Sequence, residues 1–173
     1  AGAKGIDELT RLTRAALEGA EGQPEAFDHS IAFNLFSHDS AIGEDGYNVE
    51  ERKLLLESRK IFGVPDLAIS ATCIRVPVYR AHSEAIHAEF AGPVDPDAAR
   101  EVLSRAAGLR IVDDREANHF PMPLEASGRD EVLVGRLRED VSRPGSIAFF
   151  VAGDQIRKGA ALNAVQIGEA LLT

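Results

Sequence analysis

A single cysteine, Cys73, stands in a chain of 173 residues, so an internal disulfide and a multi-cysteine zinc site are both excluded. That usage suits a reducing cytoplasm, which is the expected location. No stretch approaches the roughly 18 consecutive apolar residues that a membrane helix needs, and no basic, apolar and small-residue series opens the chain as a secretory signal does. No membrane association is expected. Basic residues are outnumbered, with 19 lysines and arginines against 28 aspartates and glutamates, a formal net charge of -9. This balance supplies no basic face for a nucleic-acid backbone. An anionic small molecule would need a local pocket, for which Arg75, Arg80 and Lys53 are candidates. Flexible linkers, internal repeats and low-complexity tracts are missing, as are the G-x-S-x-G and phosphate-loop motifs. What the chain does have is a 45% hydrophobic content over a length that favours one domain, residues 1–173.

Periodicity orders that content. "GIDELTRLTRAALEGA" spaces Ile6, Leu9, Leu12, Thr13, Ala16 and Leu17 as one face of a helix. "SIAFNLF" reads as a short buried strand before the polar "SHDSAIGEDGYN". Asn48 then caps "VEERKLLLESRKIF", whose Glu50, Lys53, Glu57 and Lys60 form a charged stripe. "LAISATCIRVPV" and the alternating "SEAIHAEF" predict two strands joined by a tight turn. In "DPDAAREVLSRAAG", Asp95 caps, Pro96 takes the first helical position and Gly108 stops the helix. "LRIVDD", "VLVGRLRED" and "SIAFFVAGD" are further strands, and "RKGAALNAVQIGEALL" is a closing helix. Helices and strands do not alternate strictly, so the expected class is α+β, a mixed or largely antiparallel sheet with helices packed on one face.

The chemistry-bearing residues are few. His82 and His87 are five positions apart, which sends them to opposite faces of a strand or about 140° apart on a helix. His29, His38, Asp39 and His119 show no ligand spacing either, so no metal site is expected. Cys73, inside an apolar run, reads as a small buried hydrophobe and not as a nucleophile. Arg75 and His82 around "RVPVYRAHSEA", with Glu50 and Lys53 on a helix, remain. A planar fork for a carboxylate, a point charge for phosphate and a titratable imidazole suit a small dianionic substrate. Spacing alone leaves the alternative of separate solvated charges open.

"EERKLLLESRKI", "ATCIRVPVYRAHSEAIHAEF", "GRDEVLVGRLRED" and "RKGAALNAVQIGEALL", in that order, resemble the aspartate-β-semialdehyde dehydrogenase family. The similarity runs over nearly the whole chain and covers the part after the family's central catalytic segment, including its dimerisation domain. By this resemblance Arg75 grips the substrate α-carboxylate and His82 is the general acid/base. Glu50 meets the amino group, Lys53 receives the phosphate, and Asn163 with Gly159 lies near the nicotinamide of NADP. The implied reaction is the reversible reductive dephosphorylation of aspartyl-β-phosphate to aspartate semialdehyde, on the route to lysine, threonine and methionine. The implied assembly is a homodimer or a dimer of dimers.

The family's glycine-rich cofactor loop, nucleophilic cysteine and nearby glutamine have no counterpart in this chain, and "AGAKG" resembles the tail of that loop. The resemblance therefore implies a C-terminal catalytic and dimerisation part. Its residues 156–173 would pack on a nucleotide-binding domain lying outside the chain. Two other readings stay in view: a related N-acetyl-γ-glutamyl-phosphate reductase-like domain, and a non-catalytic dimerisation module.

Overall fold

Asn48 and Glu51 show how the sequence writes the N-terminal half of the fold. In the computed structural model, which describes residues 2–172, α2 (Val49–Phe62) starts with the Asn48 side chain accepting the Glu51 N–H at 2.9 Å. Residues 1 and 173, the ends of the expected domain and of the closing helix, lie outside the described residues. Gly63 ends α2 in the left-handed conformation at φ 66°, where a side chain would be strained. Ahead of it, α1 (Gly2–Leu17) buries Leu9 and Leu12 against Ile31, with Phe27 and Phe36 packed around them. The buried stripe of α1 also contains Glu8, which the apolar periodicity did not include. Its Oε2 accepts the backbone N–H groups of Glu25 at 2.6 Å and Ala26 at 2.5 Å, so the carboxylate anchors the loop after the helix.

Two expected strands are much shorter than the apolar runs that suggested them. β1 (Phe36–Ser37) pairs antiparallel with β2 (Ile74–Arg75), Phe36 opposite Arg75 and Ser37 opposite Ile74. Extended backbone cannot cover "SIAFNLF", because Phe33 has a positive φ of 53° and the Asn34 amide turns back to the Ser30 carbonyl. In "LAISATCIRVPV" the ladder stops where its two-residue partner stops, and Val78 N–H closes a turn onto the Val76 carbonyl across Pro77. Ile69, Ile74, Val76 and Val78 stay exposed. The predicted hairpin from this run into "SEAIHAEF" does not form, since β2 and β3 (His82–Ala88) belong to different sheets.

Packing divides the chain between Tyr79 and Arg80 into two compact units. The second unit is built on a four-stranded mixed sheet in the order β3, β6, β5, β4, as the α+β expectation requires. β6 (Ile147–Gly153) is antiparallel to both β3 and β5 (Val132–Glu139), while β4 (Leu109–Ile111) runs parallel to β5. α3 (Pro96–Arg105) starts at the predicted Asp95 cap and sets Ala99 and Leu103 against Val134, Leu137 and Ile147. Leu133 points to the opposite face, where it meets Ala152, Ala81 and Ala126 of the single-turn α4 (Pro123–Ala126). The closing helix α5 is shorter than expected, Leu162–Leu172, because a kink at Ala160 interrupts the preceding wide turn, Arg157–Ala161.

Two positions in this unit are under tight local constraint. The register of β5 and β6 shifts between Gly135 and Arg138, with Arg136 at φ 56° and its N–H held by Asp113 at 2.8 Å. A Cβ at Gly135 would lie 1.9 Å from the Val112 carbonyl oxygen, which is backbone and cannot step aside. At the far end of the sheet, Asp140 accepts the Ser142 hydroxyl at 2.7 Å and pairs with His87 Nδ1 at 2.7 Å. The Ser142 hydroxyl and then His87 hold the Asp140 carboxyl well below the usual range, at about 2.

Gly135→Ala is expected to destabilise the protein by roughly 2–3 kcal/mol, by the cost of overpacking against fixed atoms, and thermal unfolding measures it. Because the folded-state pKa of Asp140 is depressed, its stabilisation is complete above about pH 4 and disappears as pH falls through the folded value. Asp140→Asn is therefore expected to lower stability to denaturant at neutral pH and to leave it unchanged near the bottom of an acid titration.

Candidate active site

Within the N-terminal unit one buried carboxylate organises the chemistry-bearing side chains. Glu51, only 8% exposed, accepts the Asn48 N–H with Oε2 at 2.9 Å and the Cys73 N–H with Oε1 at 2.8 Å. The first bond completes a capping box, and the second ties the start of α2 to the chain two residues before Arg75. The Asn48 N–H, then the Cys73 N–H, keep the Glu51 carboxyl below its ordinary pKa, so it is ionised at neutral pH.

On the first turns of α2, Lys53 Nζ donates to Glu50 Oε1 at 3.1 Å and Oε2 at 3.3 Å. The hydrogen bond that Lys53 donates to Glu50, followed by the charges of Glu50 and Glu57, raises the Lys53 pKa, and the ammonium remains charged. Both groups stay open to solvent. The structure thus brings Glu50 and Lys53 together, while Arg75 engages neither. Arg75 donates from Nε at 3.1 Å and Nη2 at 2.7 Å to a single oxygen, Oδ1 of Asp39, and its guanidinium lies over the Phe27 ring, 5.4 Å from the centroid. Sequence reasoning weighed Asp39 only as a metal ligand and gave no sign that it partners Arg75. It stands 36 residues from Arg75, and only the pairing of β1 with β2 brings the two segments side by side.

In the C-terminal unit His82 opens β3 opposite Gly153, and its imidazole is exposed with no hydrogen-bond partner among the described residues. The two residues before it are firmly held. Arg80 Nη2 pairs at 2.7 Å with Asp154, whose carboxylate is fully buried and also accepts the N–H groups of Gly128 at 2.6 Å and Ile156 at 2.9 Å. Burial pushes the Asp154 pKa up, but the bonds from Arg80, Gly128 and Ile156 together hold it below the usual carboxylate value. Arg80 is thereby a structural cation and not part of an anion pocket. Ala81, buried, adopts a left-handed φ of 77° and donates its N–H to Gln155 Oε1 at 2.8 Å. Asp154 and Gln155 had no sequence signal beyond following a strand.

Gly159 lies exposed in the wide turn before α5, its N–H reaching the Asp154 carbonyl at 3.3 Å. Asn163, half-buried at the start of α5, has an amide with no hydrogen-bond partner among the described residues. Within the described residues no group of three or more His, Cys, Asp or Glu side chains is placed to hold a metal ion.

The fold is that of an α+β module whose charged side chains are fixed at their bases and reach solvent at their tips. Residues 1–158 match the family model for the semialdehyde dehydrogenase dimerisation domain, and the chain belongs to that family. It is 49% identical over 173 residues to the aspartate-semialdehyde dehydrogenase of Prochlorococcus marinus, covering 100% of this chain and 50% of that protein. With the Aquifex aeolicus aspartate-semialdehyde dehydrogenase it shares 49% identity over 175 residues, covering 99% of this chain and 51% of that one. The Vibrio cholerae aspartate semialdehyde dehydrogenase II, complexed with ASA, superposes with a TM-score of 0.92 at 38% identity, covering 98% of this chain and 50% of that one. The chain thus spans about half the length of the relatives it matches.

Removing the buried Asp154 carboxylate leaves Arg80 and two backbone N–H groups without their acceptor. Asp154→Ala is expected to cost about 3 kcal/mol, the lower end for breaking a buried pair because Arg80 is partly solvated, as urea denaturation would show.

Proposed function

We propose that this chain works as the C-terminal half of an NADP-dependent aspartate-semialdehyde dehydrogenase, in a cytoplasmic homodimer or dimer of dimers. The observation that carries the reading is Arg75. Its guanidinium is partly covered and fixed, with the Nε/Nη2 edge on Asp39, so that the Nη1 end stays available to a carboxylate. Relatives of this identity bear the dehydrogenase name, which favours this reading over an N-acetyl-γ-glutamyl-phosphate reductase. A dimerisation role is part of the same proposal, because one domain can supply both an interface and part of a site.

Each side chain has a task in that reaction. Arg75 takes the α-carboxylate of aspartyl-β-phosphate or aspartate semialdehyde as a planar fork. Lys53, held charged by Glu50, presents a point charge to the phosphoryl group or to inorganic phosphate, and the Glu50 carboxylate is assigned to the substrate ammonium. His82, exposed and with no hydrogen-bond partner among the described residues, is the group assigned to carry a proton to or from the reacting oxygen or sulfur. NADP would supply the hydride chemistry. The exposed Gly159 and the Asn163 amide, which has no hydrogen-bond partner among the described residues, fit the polar edge of a nicotinamide carboxamide. The exposed apolar side of α5, with Leu171 and Leu172 most open, fits a helix that packs on a nucleotide-binding domain.

The test uses a polypeptide that joins this chain to such a domain. Arg75→Leu is expected to raise the KM for aspartate semialdehyde by roughly 10- to 100-fold, the loss of charge-assisted hydrogen bonds. His82→Ala is expected to lower kcat by about 10²- to 10⁴-fold, the scale of general acid–base catalysis. Wild-type kinetics in both variants would overturn the proposal, as would turnover of aspartate semialdehyde with NADP and phosphate by the 173-residue chain alone.

A further inference from the structure

Arginine offers five N–H donors in a plane, and which edge meets the substrate depends on what holds the other edge. In Arg75 the Nε–H and one Nη2–H converge on Asp39 Oδ1, at 3.1 and 2.7 Å. The opposite end, with Nη1 and the second Nη2–H, donates to no other described residue. The guanidinium carbon lies over the Phe27 ring, 5.4 Å from its centroid, a contact that favours this placement. Asp39 is itself well fixed. Next to it, the His38 N–H continues the ladder to the Cys73 carbonyl at 2.9 Å, and the Ser40 N–H bonds back to His38 Nδ1 at 3.2 Å.

We infer that Asp39 is a positioning residue: by occupying the Nε/Nη2 edge of Arg75 it turns the Nη1/Nη2 edge toward the carboxylate of an α-amino-acid substrate. The inference rests on the reading of Arg75 given above. Burial alone would raise the Asp39 pKa; the hydrogen bond and charge of Arg75 outweigh it, with smaller help from its own backbone N–H and from His38. Asp39 therefore stays an acceptor at neutral pH. Its effect is on ground-state and transition-state binding alike, because the carboxylate it helps to hold is remote from the reacting carbon. Such uniform binding shows in KM and not in kcat.

Steady-state kinetics in the joined polypeptide test this. Asp39→Ala is expected to raise the KM for aspartate semialdehyde about 3- to 10-fold, the scale of freeing one long side chain, with kcat and the KM for phosphate unchanged. Asp39→Asn, which keeps the Oδ1 acceptor, restores most of the loss. In an Arg75→Leu background, Asp39→Ala adds nothing further, since the residue it positions is gone. An unchanged KM in Asp39→Ala, or a rise of equal size in the Arg75→Leu background, would overturn the inference. If Arg75→Leu itself leaves KM at the wild-type value, the functional reading fails; if Arg75→Leu raises KM and Asp39→Ala does not, only the role of Asp39 fails. Nitrogen-15 NMR of the chain gives a readout free of turnover: the Arg75 Nε–H is expected to exchange slowly with Asp or Asn at position 39 and fast with Ala. Fast exchange in the wild type would also overturn the assignment.

Discussion

The Glu51 carboxylate is the constraint on which the N-terminal unit depends. A buried carboxylate is costly unless its lone pairs are used, and here both oxygens are used by backbone N–H groups from different parts of the chain, Asn48 and Cys73. One bond starts a helix; the other fixes a strand. Glu50 and Lys53 are positioned by the first and Arg75 by the second, so the charges assigned to phosphate, ammonium and carboxylate share one anchor. The arrangement is rigid at its base and solvated at its tips, as the proposed binding of a charged ligand would require.

Asp154 plays the equivalent part in the other unit, joining Arg80, the Gly128 turn and the residue after next in its own chain. The comparison explains why two neighbouring arginines of one motif have different fates. Arg75 meets a carboxylate that uses a single oxygen on one edge and leaves donors over. Arg80 is tied to an anion with no exposed surface at all, and is spent on structure.

How much of this was legible in the sequence follows from the range of each interaction. α2 and α3 were readable because their caps are local: Asn48 with Glu51, and Asp95 with Pro96, lie within one turn of the helix start. β5 and β6 were readable because they are sheet-core runs bounded by turn residues. The runs around Ile31 and Ile74 misled because an apolar segment is read as a strand only on the assumption that a sheet is there to receive it; Ile31 instead enters the α1 core and Ile74 remains exposed. The motif containing Arg75 and His82 supplied the candidate residue types. The partners that decide what those residues can do, Asp39 and Gln155, sit 36 and 74 positions from the groups they hold, Arg75 and Ala81, and distant pairing of this kind is set by tertiary folding.

The left-handed backbone at Ala81 has a bearing on the histidine that follows it. A strand alternates its side chains between two faces, and a slip of one residue exchanges them all. With its N–H tied to Gln155 and its methyl group packed between Leu133 and Ala152, Ala81 cannot join the strand, so β3 must begin at residue 82. The bend thus acts as a phase mark for the sheet edge: it selects which of its two surfaces displays the imidazole, and small size at position 81 is the condition for that choice.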